Sequence, residues 1–163
     1  MIARRFAFAL ALLVPAALMA GALWFQFAKG LPPCEMCWWQ RYPHIVAIVL
    51  AAFAWTRFRR WTGTLLVTLA ALCILASGLI GAFHAGVEYG WWQGLTRCAS
   101  IGFSGGDPLA SVMNSPLIRC DVAAWRLFGI SMAGYNFLIS TGSAILIFYC
   151  LIRGRGQYGR RRA

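Results

Sequence analysis

Six cysteines carry most of the chemistry this sequence could perform: Cys34, Cys37, Cys73, Cys98, Cys120 and Cys150. Cys34-Glu35-Met36-Cys37 is a C-x-x-C pair. Two thiols at that spacing near a helix N-terminus can form a small, reversible disulfide, and the helix end together with a nearby cation favours the reactive thiolate. Arg41 follows Cys37 by four residues, so on a helix the two share a face. Cys98 and Cys120 are 22 residues apart in a polar segment. A crosslink of that span could stabilise the loop by about 3 kcal/mol on the chain-entropy account, so a purely structural bridge stays open for this pair. For Cys34 and Cys37 it is weak, because the enclosed chain is too short to restrain much.

Other uses of these residues fare worse. Structural zinc wants two tight ligand pairs, and no histidine pair stands near the cysteines, so no metal is expected. A c-type haem needs histidine directly after the motif, where Trp38 stands. Cys73 and Cys150 fall inside apolar runs, where cysteine acts as a small apolar residue.

The elements that must position these thiols are membrane helices. The chain has 163 residues, 61% hydrophobic and 12% charged, beyond what a water-soluble domain of this size needs. The net charge of +11 sits in clusters at the ends of apolar runs, which argues against a nucleic-acid-binding face. A bilayer core about 30 Å thick needs roughly 20 helical residues. Spans are expected at about 6–27, 34–56, 62–83 and 128–152, forming one transmembrane domain over residues 1–163. The first run, with Arg4 and Arg5 ahead of it, is too long for a signal peptide and reads as a retained helix. Pro15 and Pro43 fall inside the first two spans as candidate kinks. Ser77, Gly78, Gly81 and Ala82 would allow close helix contact in lipid. His84 to Arg126 reads as a long, largely irregular outer segment, with Trp91 and Trp92 suited to the membrane interface. The basic tail, 153–163, is expected to be disordered.

Charge sets the orientation. Ten arginines, in the N-terminus, in the loop at Arg57, Arg59 and Arg60, and in the tail, have no acid among them. The opposite side carries five basic and four acidic residues. The positive-inside rule therefore places both termini in the cytoplasm and all four loop cysteines outside, where disulfides persist. The expected fold is all-α, an integral membrane four-helix bundle with two outer, periplasmic loops. Two outward pairs, one at the membrane surface and one on a loop, suggest thiol–disulfide exchange through mixed disulfides.

At this point the sequence resembles the disulfide bond formation protein B family of bacterial inner membranes. The resemblance rests on Cys34-x-x-Cys37-x-x-Gln40-Arg41 at the second span and on Cys98 and Cys120 in the second outer loop. It rests also on Trp125 and Leu127-Phe128-Gly129-Ile130-Ser131-Met132 leading into the fourth span. It covers essentially the whole chain and implies an inner-membrane, quinone-dependent thiol oxidase with disulfides Cys34–Cys37 and Cys98–Cys120. The implied partner is a periplasmic thioredoxin-fold dithiol oxidase of the DsbA type, whose thiolate attacks Cys98. Freed Cys120 then attacks Cys34, and Cys37, as a thiolate beside Arg41, passes electrons to ubiquinone or menaquinone. Some members use a histidine near the start of the second outer loop at the quinone, and His84 falls near that position. An interfacial histidine bonded to backbone or water is the other reading, with Glu88 at i+4 able to orient it.

Three alternatives remain. A vitamin K epoxide reductase-like enzyme would carry its C-x-x-C in the last span, where only Cys150 stands. A thiol reductant would need a cysteine pair reached from the cytoplasm, and Cys73 and Cys150 form no motif. A non-enzymatic four-span protein would use both disulfides only as staples.

Overall fold

In a computed structural model the described residues are 2–95, 99–100 and 117–159. Four helices dominate them: α1 (Ile2–Ala28), α2 (Glu35–Thr56), α3 (Trp61–Glu88) and α4 (Met132–Gly159). Two short antiparallel ladders cross the loop between α3 and α4. β1 (Ala99–Ser100) pairs with β2 (Leu117–Ile118), and β3 (Arg126–Leu127) pairs with β4 (Ile130–Ser131). Each helix packs on its neighbours in the cycle α1–α2–α3–α4–α1, which closes an all-α bundle.

Alanine is why the helices close so tightly. The shared core joins Ala7, Phe8 and Ala11 of α1, Ala47, Ala51 and Ala54 of α2, Ala70, Ala71 and Ile74 of α3, and Ala144 and Ile147 of α4. The small residues expected to mediate contact do so between α3 and α4. A Cβ on Gly81 would lie 2.9 Å from the Ala133 carbonyl, and one on Gly78 would lie 2.7 Å from Thr141 Oγ1. The outer surface is the reverse of a soluble protein's, with Leu13, Phe53, Leu72, Leu79 and Ile145 all exposed. Such a surface is stable in lipid, where a helix satisfies its own backbone.

α1, α3 and α4 as far as Gly154 are long and apolar enough to cross a membrane. α2 has 22 residues, about 33 Å at 1.5 Å per residue, yet falls short in composition because its first three turns hold Glu35, Gln40, Arg41 and His44. The last three of these are buried inside the bundle. Pro15 and Pro43 both lie within continuous helices.

Three boundaries differ from expectation. α3 runs past Phe83 to Glu88, because nothing breaks the helix before Gly90. There the Gly90 N–H bonds the Val87 carbonyl and the Trp91 N–H bonds the Gly86 carbonyl, a Schellman stop with Gly90 at φ 73°. α4 starts at Met132 because the residues ahead of it turn as the β3–β4 hairpin, whose two loop residues, Phe128 and Gly129, both have positive φ. Of the tail expected to be disordered, residues 153–159 continue α4, and residues 160–163 lie outside the described residues.

The basic clusters gather at one end. Arg4 donates to the carbonyls of Phe58 and Arg60 at 2.6 and 3.0 Å, and its side chain is the nearest neighbour of Gly154. The cysteine motif lies at the other end.

Candidate active site

Cys34 caps α2. Its backbone is extended, at φ −74° and ψ 173°, and its Sγ accepts the Cys37 N–H at 3.2 Å. The two sulfurs lie 2.8 Å apart, hydrogen-bonded and unbridged.

Arg41, one turn below, is 7% exposed. It turns toward α1, donating from Nη1 to Gln26 Oε1 at 2.6 Å and from Nη2 to the Ala22 carbonyl at 3.4 Å. Its guanidinium also sits over the Trp38 ring, 5.0 Å from the centroid. A cavity of about 740 Å³ opens beside it, with Cys37, Gln40, Arg41 and His84 at its polar end and mainly apolar side chains such as Leu18 and Phe25 along α1. That size and that mix, apolar walls with a few convergent polar groups, suit a small amphiphilic ligand.

His84 is buried beside the dithiol and also meets a backbone carbonyl, that of Cys120. It is 3% exposed, on the turn of α3 that the sequence assigned to a loop. Its Nε2 lies 3.7 Å from Cys34 Sγ, 3.2 Å from the Cys120 carbonyl and 3.8 Å from Glu88 Oε1. Its Nδ1 is 2.9 Å from Gln40 Nε2. Cys120 is buried and belongs to the same cluster as Cys34, Met36 and Val87. Ahead of it, Arg119 grips Asp121 with two bonds of 2.9 and 2.6 Å, which hold the exposed Asp121 carboxyl below its usual range. Cys98 lies outside the described residues. Cys73 and Cys150 pack with the core of the bundle, as small apolar residues do.

Cys34, Cys37 and His84 bring their ligand atoms within 4.8 Å of one another. Sequence spacing could not show this, because His84 is 50 residues from Cys34.

A polar chain behind the site was also missed. Asn136 Nδ2 donates to Gln40 Oε1 at 2.8 Å, and Asn136 Oδ1 faces His44 Nε2 at 3.0 Å and Ser140 Oγ at 2.8 Å. Ser77 Oγ donates to the Gln40 carbonyl at 2.8 Å. Polar side chains within apolar runs mark functional interiors, and that signal singles out Gln26, His44 and Asn136.

A family model described as "Disulfide bond formation protein DsbB" matches residues 4–150. The chain is 34% identical to disulfide bond formation protein B 2 of Pseudomonas syringae pv. syringae, covering 94% of this chain and 97% of that protein. It is 30% identical to disulfide bond formation protein B of an Acidovorax species, covering 85% and 82%. It is 29% identical to disulfide bond formation protein C of Bacillus subtilis, covering 83% and 84%. No solved structure matches. With a bundle built for lipid, a dithiol at a helix N-cap and a family match over nearly its whole length, this chain belongs to the disulfide bond formation protein B family of membrane proteins.

Proposed function

We propose that this membrane protein is a quinone-dependent thiol oxidase that reoxidises a periplasmic, DsbA-like thioredoxin-fold dithiol protein. One observation carries the reading. The Cys120 carbonyl and Cys34 Sγ, from different parts of the chain, meet the same imidazole nitrogen at 3.2 and 3.7 Å. Cys120 and Cys34 also share one buried cluster, which brings the loop bearing Cys120 to the sulfur it would attack.

The partner's thiolate attacks Cys98 of a Cys98–Cys120 disulfide and leaves through a mixed disulfide. Cys120, freed as thiolate, attacks Cys34 of the Cys34–Cys37 disulfide and expels Cys37 as a thiolate. The partner's second thiolate resolves the mixed disulfide and frees Cys98, which attacks Cys120 of the Cys34–Cys120 bond, restores the Cys98–Cys120 disulfide and expels Cys34. Closing the Cys34/Cys37 dithiol back to its disulfide then releases two electrons and two protons. Ubiquinone or menaquinone would supply the two-electron acceptor if held in the cavity. The cavity fits such a group: apolar walls along α1 would take a ring and the start of a lipid tail, and Arg41 and His84 line its polar end. Arg41, fixed by Gln26 and Ala22, places a permanent cation at the dithiol end.

The chain sits in the bacterial inner membrane as four spans, α2 among them. Its arginine-rich end and both termini face the cytoplasm, and the cysteine end faces the periplasm. The gathering of Arg4, the α2–α3 turn and Gly154 at one end supports that orientation.

The test mixes purified protein with a reduced thioredoxin-fold oxidase and a short-chain quinone, and follows quinone reduction by absorbance. Turnover should vanish in Cys34→Ser, Cys37→Ser, Cys98→Ser and Cys120→Ser and persist in Cys73→Ser. Absence of turnover with either quinone type, from folded protein carrying both disulfides, would leave a stapled, non-enzymatic membrane protein as the better account.

A further inference from the structure

The orientation of two buried amides decides which nitrogen of His84 carries its proton. Gln40 Nε2 lies 3.1 Å from the Met36 carbonyl, which can only accept, so this end of the amide is the donor. Its Oε1 receives Asn136 Nδ2 at 2.8 Å. Asn136 is oriented by a second carbonyl, Ser77 O at 3.1 Å from Nδ2, and its Oδ1 takes the Ser140 hydroxyl at 2.8 Å. Turning Gln40 over would set Oε1 against the Met36 carbonyl and Nε2 against Asn136 Nδ2, and turning Asn136 over would set its Oδ1 against both the Ser77 carbonyl and Gln40 Oε1. Gln40 Nε2 therefore donates to His84 Nδ1 at 2.9 Å, and a neutral imidazole that accepts at Nδ1 carries its proton on Nε2. Every neighbour of that nitrogen is an acceptor: the Cys120 carbonyl, Cys34 Sγ and Glu88 Oε1.

We propose that Gln40, held by Met36 and Asn136, is a positioning residue that fixes His84 as the Nε2–H tautomer. His84 then serves as a hydrogen-bond donor that tethers the Cys120 main chain beside Cys34. It has no lone pair on that side to take the proton of Cys34 or to bind a cation. The second consequence is the sharper one. Tetrahedral zinc, with bonds of about 2.3 Å to sulfur and 2.0–2.1 Å to nitrogen, sets sulfur and nitrogen about 3.6 Å apart. Cys34 Sγ and His84 Nε2 stand at 3.7 Å, and Cys37 Sγ is within 4.8 Å of both. By distance alone the reduced dithiol and His84 would trap a thiophilic cation. The amide chain withholds the imidazole from that ligand set and keeps the dithiol for exchange. The tether deepens the proposed relay, but the tautomer is measured without turnover, so the two can fail separately.

The test uses the full-length protein labelled with ¹⁵N-histidine in nanodiscs. The chain has two histidines, and His84→Ala leaves only the His44 signals, which assigns the spectrum. Neutral His84 should carry its proton on Nε2, and Gln40→Glu, whose carboxylate accepts from Nδ1, should move it to Nδ1. In parallel, phosphine-reduced protein is titrated with Cd²⁺ and followed by sulfur–cadmium charge-transfer absorbance. His84→Ala should change Cd²⁺ affinity by less than about twofold in the Gln40 background and weaken it by about tenfold or more in the Gln40→Glu background. A proton on Nδ1 with Gln40 in place overturns the proposal, and that spectrum decides alone if Gln40→Glu does not fold. So does an equal response to His84→Ala in both backgrounds.

Discussion

His84 Nε2 stands 3.7 Å from Cys34 Sγ, across 50 residues of sequence, and the same nitrogen holds the Cys120 carbonyl at 3.2 Å. The imidazole is thus the hinge between the helix that bears the C-x-x-C pair and the loop that bears Cys120.

Removing that hinge should slow transfer between the two cysteine pairs more than it slows anything else. A hydrogen bond lost from a buried polar group costs about 1–3 kcal/mol, which in a barrier is roughly 5- to 150-fold in rate. His84→Phe is therefore expected to slow the step from Cys120 to Cys34 by that factor, read by acid-quenched trapping of the mixed disulfide. Attack of the soluble partner on Cys98 should proceed at its normal rate. Equal slowing of both steps would show that His84 only supports the fold.

Arg41 should not be replaceable by lysine. Its planar guanidinium bonds Gln26 and Ala22 while lying over Trp38, a geometry that a single ammonium group cannot reproduce. Arg41→Lys should raise the KM for a short-chain quinone by about tenfold, and Arg41→Met should also lower kcat, since the cation itself is gone. Gln26→Leu should give a milder form of the Arg41→Lys effect. Unchanged steady-state constants in Arg41→Lys would show that charge alone matters there.

Asn136 bonds groups on both α2 and α3, through Gln40 Oε1, His44 Nε2 and the Ser77 carbonyl. Interhelical hydrogen bonds in membranes contribute about 0.6 kcal/mol on average and up to about 1.7. Asn136→Leu should therefore cost about 1–3 kcal/mol, because it leaves several buried partners unsatisfied at once. The check is a denaturant titration of the detergent-solubilised protein against His44→Leu and the double variant. The two substitutions should be non-additive, since they break a shared bond.

Gly81 and Gly142 should respond oppositely to a side chain. A Cβ at Gly81 meets the Ala133 carbonyl at 2.9 Å and Asn136 Nδ2 at 3.1 Å, whereas one at Gly142 meets nothing within 4 Å. Gly81→Val should lower thermal stability by about 1–3 kcal/mol through forced separation of α3 and α4. Gly142→Ala should be neutral or slightly stabilising, because it removes backbone freedom from the helix interior. Equal melting temperatures for the two variants would rule out a tight contact at Gly81.

Much of this was written in local sequence. Apolar runs bounded by arginines determined a helical membrane protein, because lipid forces the backbone to satisfy itself and gives long apolar segments one stable form. The C-x-x-C spacing determined a dithiol at a helix start, because Cys34 needs only its own first turn to meet Cys37. Gly90, at positive φ, stops α3, whereas the apolar run itself ends at Phe83, before the helix does. Tertiary structure alone decided what stands around the dithiol. His84 reaches Cys34 only because α3 continues one turn past its apolar stretch and packs against α2. Arg41 finds Gln26, and Gln40 finds Asn136, through contacts between helices, 15 and 96 residues apart in sequence. Hydrogen bonds are short and directional, so partners that far apart have no periodic trace in the chain, and only the closed bundle brings them within 3 Å.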